Sequence, residues 1–174
     1  MTRRRHAAIA GSLLLLGCAG CAAERRSVAE AFPPGSVASP WRLQGEVWCG
    51  TLDEGAAALG DDADRWRELG PTRVWLAVYR HEDKPAQTVT VRCFAFETAD
   101  AARRAYDAVR PADAQAYEAG DAGCWTEIGV LFQWGRLVLD AFGHDASWGS
   151  QVQASLLAAF ITKRMPPGAP GNPQ

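Results

Sequence analysis

The sequence lacks a long apolar segment, the common motifs of catalysis and, after its N-terminal Arg3-Arg4-Arg5, a cluster of basic residues. Its longest apolar run, Ala7 to Leu16, is too short to cross a bilayer as a helix. No Gly-rich phosphate loop, paired-carboxylate pattern or serine-nucleophile motif occurs. After residue 21 the chain has 15 basic and 20 acidic residues, because three of its 18 basic residues are Arg3, Arg4 and Arg5. A nucleic-acid partner is therefore disfavoured, and we expect neither turnover nor a bound cofactor.

The first 21 residues have the organisation of an export signal. The three arginines precede the apolar run, and two glycine–cysteine pairs, ending at Cys18 and Cys21, follow it directly. This end resembles a bacterial lipobox, in which apolar and small residues precede a cysteine that becomes lipidated. Leu15, three positions before Cys18, favours Cys18 as the lipidated residue. Cys21 is the alternative, because the small residues Ala19 and Gly20 precede it.

The signal also predicts where the protein resides. A lipoprotein is exported and held at a membrane of the cell envelope by its N-terminal acyl chains, such as palmitate. Alanine follows both Cys18 and Cys21, which favours the outer membrane if the organism is diderm. An ordinary secretory signal, cut near Ala19 or Ala22, stays open as an alternative.

The remaining chain predicts one domain between two irregular segments. We expect a signal with a lipobox over residues 1–21, a flexible tether over 22–40, a single α+β domain over 41–164 and a disordered tail over 165–174. Prolines and the absence of periodicity mark both the tether and the tail. We expect the domain to stay folded without either of them.

Alternating apolar residues predict several strands between amphipathic helices. In Arg73–Arg80 and Thr88–Phe96 the alternation predicts an antiparallel hairpin, and Thr98 caps the helix Ala99–Val109. The other predicted helices span 52–59, 61–69 and 148–163, and the other strands span 124–128, 130–134 and 137–142. The fold class is therefore α+β: an antiparallel sheet of about five strands with helices on one face, arranged as two loose strand–strand–helix halves.

Several short motifs resemble an uncharacterised family of exported bacterial proteins that often carry lipoprotein signals. The motifs are Leu52-Asp53-Glu54-Gly55-Ala56-Ala57, Leu69-Gly70, Val78-Tyr79, Phe96-Glu97-Thr98-Ala99-Asp100-Ala101 with Ala105-Tyr106, and Gln133-Trp134-Gly135-Arg136. The resemblance spans Trp41 to about Lys163. It implies an architecture and an envelope location, and it brings no catalytic residue.

Three cysteines follow the lipobox: Cys49, Cys93 and Cys124. Their spacing is too wide for a zinc motif. In an oxidising compartment we expect one disulfide, Cys93–Cys124, with Cys49 as the rival partner for either. The alternative is that all three are small core residues.

The possible metal ligands and nucleophiles are few. His81, Glu82 and Asp83 lie in a charged hairpin loop, whereas His144 and Asp145 precede a helix. We interpret the first group as solvated and the second as a capping segment, so no metal site is predicted. A nucleophilic pair of Cys93 or Cys124 with His144 has no supporting local pattern.

Aromatic residues are the remaining candidates for ligand binding. Trp75, Tyr79, Trp125 and Trp134 lie on or beside predicted strands and could form a flat face for a sugar, a peptide or a protein. The alternative is that they fill the interface between the sheet and the helices. The leading hypothesis is a membrane-anchored, non-catalytic binding or accessory module that holds an envelope protein or ligand. A small-molecule or glycan binder and a minor hydrolase or thiol-redox protein are the alternatives.

Overall fold

The computed structural model describes residues 28–33, 40–144 and 148–165. These residues form seven strands and four helices, preceded by a helical turn over residues 28–31. In chain order the elements are β1 (Trp41–Leu43), β2 (Trp48–Gly50), α1 (Leu52–Leu59), α2 (Asp62–Leu69), β3 (Arg73–His81), β4 (Thr88–Ala95), α3 (Ala99–Val109), β5 (Ala122–Trp125), β6 (Gly129–Trp134), β7 (Leu137–Gly143) and α4 (Trp148–Arg164).

The strands form one antiparallel sheet in the order β1-β3-β4-β7-β6-β5. β2 also pairs with β3, at residues 74–76, whereas β1 pairs with residues 79–81. The predicted α+β class with an antiparallel sheet is confirmed. The sheet has seven strands instead of about five because two strands of three residues each, β1 and β2, line the outer edge of β3.

Helices cover both faces of the sheet, so the prediction that they lie on one face is wrong. Along β4, Val91 and Cys93 belong to the core beneath α4, whereas Phe94 belongs to the core beneath α1, α2 and α3. We refer to these as the α4 face and the three-helix face. Because β4 is buried on both sides, each face needs its own cover. The predicted strand–strand–helix units are present as β3-β4-α3 and β6-β7-α4, with their helices on opposite faces.

Local sequence explains where the helices begin. The Thr98 side chain accepts a hydrogen bond from the Ala101 amide at 3.1 Å, which caps α3 as predicted. Thr51 and Glu54 form a reciprocal capping box at the start of α1. On the three-helix face, Trp66 of α2 stacks on Phe94 with ring centroids 3.7 Å apart. None of the helices in the described ranges is both long and apolar enough to span a membrane.

Residues 28–33 belong to the domain, although they fall within the predicted tether over 22–40. Val28, Ala31 and Phe32 are buried on the α4 face. The hydroxyl of Tyr79 donates to the carbonyl oxygen of Pro33 at 3.1 Å. At the other end of the domain Met165, predicted as the first residue of the tail, is also buried in this core. The domain therefore extends beyond both predicted boundaries.

Candidate functional site

The predicted aromatic face is divided between the core and the surface. Trp75 and Tyr79 point toward the α4 face and have no solvent exposure. The expectation that they face a ligand is therefore wrong, because α4 and residues 28–33 contribute to the core that surrounds them. Trp125 and Trp134 are half-buried, and each lines a separate cleft.

The larger of these two clefts, the Trp125 groove, has a volume of about 660 Å³. Its walls come from the segment after α3, from the end of β5 and the turn that follows it, and from the first turns of α4. The lining residues are Pro111, Asp113, Ala114, Gln115, Trp125, Thr126, Glu127 and Gln151. The volume lies within the range of small-molecule sites in proteins.

Contacts behind the Trp125 groove hold its aromatic wall in place. The Tyr117 ring meets the Trp125 ring edge-on, with centroids 5.0 Å apart. The Tyr117 hydroxyl donates to the Ser155 carbonyl oxygen of α4 at 3.1 Å, and the Trp125 amide donates to the Gln115 carbonyl oxygen at 2.8 Å. The Trp125 indole thus packs against Tyr117, and the Trp125 backbone is bonded to the segment that carries Gln115.

The helix α4 is tied to the same groove by one amide. Gln151 Nε2 donates to the carbonyl oxygens of Thr126 and Glu127, both at 2.7 Å. These two carbonyl groups lie in the turn between β5 and β6, so the bonds join the start of α4 to the turn. Hydrogen bonds therefore join the three chain segments that form the walls of the groove.

A second cleft, the Arg92 cleft, adjoins the Trp125 groove. It has a volume of about 480 Å³ and shares Pro111, Thr126 and Glu127 with the groove. Arg92 and Asp140 lie in its floor, and Asp62 lies at its rim. The two clefts therefore lie side by side at the turn between β5 and β6.

The floor of the Arg92 cleft is an ion pair across the sheet. Arg92 on β4 lies opposite Asp140 on β7, and its Nη2 donates to Asp140 Oδ2 at 2.6 Å. Arg92 Nη1 donates to Asp62 Oδ2 at 2.9 Å, and the guanidinium lies 4.5 Å from the centre of the Phe142 ring. Burial raises the pKa of Asp140 above its ordinary value, although the neighbouring Arg92 acts in the opposite direction.

Sequence reasoning did not single out Arg92 or Asp140. Each is a charged residue inside an apolar strand pattern, at a position where a side chain points into the three-helix face. A charged residue is buried only when a partner compensates its lost hydration. The presence of two such residues of opposite charge, Arg92 and Asp140, was the signal from which a buried ion pair could have been predicted.

The three cysteines of the described domain form no disulfide with one another, so the predicted Cys93–Cys124 bond is wrong. Between their strands lie β7 and β6, which places the strands about 14 Å apart. Cys93 also points to the α4 face, and Cys124 to the three-helix face. A disulfide requires Cα atoms within about 7 Å. Cys49 lies on β2 with Trp75 between it and Cys93 in register.

The two histidines of the domain are not brought together. His81 contacts the Trp41 ring edge-on, at a centroid distance of 5.2 Å. His144 lies on the other side of the sheet, where its Nε2 is 2.9 Å from Thr90 Oγ1. Within the described residues no group of three or more His, Cys, Asp or Glu side chains is placed to hold a metal ion. Cys18, Cys21 and Asp145 lie outside the described residues.

No protein-family model, curated protein or solved structure matches this chain.

Proposed function

We propose that this chain is a lipid-anchored lipoprotein of the cell envelope whose α+β domain is a non-catalytic binding or accessory module. Cys18 is the proposed lipidated residue and Cys21 the alternative. The lipobox-like end of the signal supports the anchor, and so does the resemblance to exported lipoproteins. In a diderm organism the outer membrane is the proposed location, because alanine follows either cysteine.

The observation that carries the binding role is the fixed, open Trp125 groove. Most large aromatic side chains of the α4 face are buried, whereas Trp125 remains partly exposed at the wall of a cavity. The contacts of Tyr117 and Gln151 support that wall. A preformed cavity with an exposed aromatic residue and a few polar groups is the usual form of a binding site.

A thiol-based activity is the weaker candidate. Cys93 and Cys124 have at most 1% of their surface exposed. Burial raises the pKa of Cys124, which disfavours the thiolate that a nucleophilic or redox cysteine requires. His144 lies at the end of β7 beside Thr90, whereas Cys93 belongs to the core of the α4 face.

Lipidation is tested by metabolic labelling with a fatty-acid analogue. We expect Cys18→Ser to abolish the label and Cys21→Ser to preserve it. The opposite pattern moves the anchor to Cys21. Label that persists in the double variant contradicts the lipoprotein proposal.

The binding role is tested by crosslinking in intact cells. A photoreactive residue replaces Gln115, which is exposed at the groove, and in the matched control it replaces Lys84, which is exposed in the loop between β3 and β4. We expect a discrete crosslinked species from position 115 and none from position 84. Equal crosslinking from both positions, or none from position 115, contradicts binding at the groove.

A further inference from the structure

The Trp125 groove combines a flat apolar surface with polar groups at its edge. Pro111 and the exposed part of the Trp125 indole supply the apolar surface. Around them lie the carboxylates of Asp113 and Glu127 and the amide of Gln115, all of which are exposed. Amides both donate and accept hydrogen bonds, whereas carboxylates accept them.

The charge of the groove limits the ligand. Among the described residues that line the groove, two are acidic, Asp113 and Glu127, and none is a lysine or an arginine. A phosphate or carboxylate ligand would meet repulsion without a compensating cation. A ligand with many hydroxyl groups suits these acceptors, since each hydroxyl donates one hydrogen bond.

The half-buried Trp125 indole in the groove favours a ring-shaped ligand with an apolar face. An aromatic ring that is open on one side offers its π face to C–H groups. A pyranose ring carries such C–H groups on its faces and hydroxyls around its edge. The volume of about 660 Å³ accommodates more than one such ring.

We propose that the Trp125 groove binds a neutral oligosaccharide, with one pyranose ring stacked on Trp125 and hydroxyl groups bonded to Asp113, Glu127 and Gln115. This inference rests on the proposed binding role and adds the ligand class to it. The contacts of Tyr117 with Trp125 and Ser155 keep the stacking surface in position.

The test uses the full-length protein in a polyoxyethylene detergent, which carries no sugar headgroup. Maltotriose, cellotriose and triacetylchitotriose are titrated separately, and binding is followed by tryptophan fluorescence and by calorimetry. We expect at least one of them to bind. We expect Trp125→Ala to weaken that binding by about tenfold or more, because the stacking surface is lost.

Matched variants separate loss of binding from loss of folding. Trp134→Ala removes the other half-buried tryptophan, which lines a different cleft, and we expect binding to stay within about twofold. Glu127→Gln retains the size of an exposed side chain and removes one charge, so we expect weaker binding with unchanged thermal stability. Equal loss in the Trp125 and Trp134 variants overturns the inference.

Two further outcomes also decide against a saccharide. Failure of all three trisaccharides to bind overturns the ligand class, and so does tighter binding of tetramethylammonium at the same site. If position 115 still crosslinks a protein in cells, the binding module stands and the ligand class alone fails. If it does not, both proposals fail.

Discussion

Arg92 and Asp140 form an ion pair between the neighbouring strands β4 and β7. Their side chains are exposed by 9% and 13%, and Asp62 supplies a second carboxylate from the rim. Taking charges out of water costs free energy, and the attraction within the pair offsets much of that cost only while both partners are present. The pair therefore makes the three-helix face sensitive to the loss of either charge.

We expect Asp140→Asn to lower the free energy of unfolding by about 3 kcal/mol or more, because it leaves the Arg92 guanidinium buried without its main partner. The double variant Arg92→Met, Asp140→Leu should cost less than Asp140→Asn. Urea denaturation gives the comparison. Arg103→Ala is the control, since the exposed Arg103–Asp107 pair contributes below about 1 kcal/mol. An Asp140→Asn cost no larger than that of the control contradicts the prediction.

The three tyrosines should ionise abnormally. Burial raises the pKa of Tyr79 far above 10, raises that of Tyr106 to about 12 and raises that of Tyr117. Because folding favours the neutral phenols, their contribution to stability is complete below pH 10 and is lost as the pH rises toward 12. We expect the tyrosinate absorbance to rise at higher pH in the folded protein than in urea. One tyrosine titrating normally in the folded protein would refute this.

The segment over residues 28–33 should contribute to stability. Phe32 is 3% exposed in the core of the α4 face, so we expect Phe32→Ala to cost about 3 kcal/mol. Leu156→Ala is the matched control, since Leu156 is 60% exposed and its loss should cost less than about 0.5 kcal/mol. Removal of residues 1–27 should preserve the melting temperature, and removal of residues 1–40 should lower it. Equal melting temperatures for the two truncated proteins would show that residues 28–33 do not stabilise the domain, which contradicts the prediction.

The cysteines of the domain should differ in their reactivity. Cys49 is half-buried, whereas Cys93 and Cys124 are buried. We expect an alkylating reagent to modify Cys49 first and the other two only when the protein unfolds. Mass mapping of peptides after brief alkylation measures this order. Rapid modification of Cys124, or a linked pair of peptides before reduction, would contradict it.

Much of the fold was predictable because local patterns determine it. The alternation in β3 and β4 gave both strands within one residue, and the cap at Thr98 gave the start of α3. Strands of three residues, such as β1 and β2, carry too few residues for alternation to be recognised. The sequence of β4 did indicate that both faces of the sheet are covered. Phe94 on the three-helix face is as apolar as Val91 and Cys93 on the α4 face.

The candidate site was predictable only in part, because exposure depends on distant elements. Trp75 and Trp125 both lie on strands, and no local sequence pattern shows which of them is buried and which is partly exposed. Trp75 belongs to a core to which α4 and residues 28–33, both distant in sequence, contribute. What exposes Trp125 is its place on the edge strand β5, next to the start of α4. Neither position follows from the sequence near the two residues.

The early entry of the chain into the domain limits how far an anchored protein can reach. Arg164 Nη2 donates to the Glu30 carbonyl oxygen, so the end of α4 lies beside the point where the chain enters the domain. From Cys18 to Val28 there are ten residues, which span about 35 Å at most. Along α4 the groove residue Gln151 lies about 20 Å from Arg164. With Cys18 lipidated, the groove can therefore meet only partners within several tens of ångströms of the bilayer surface.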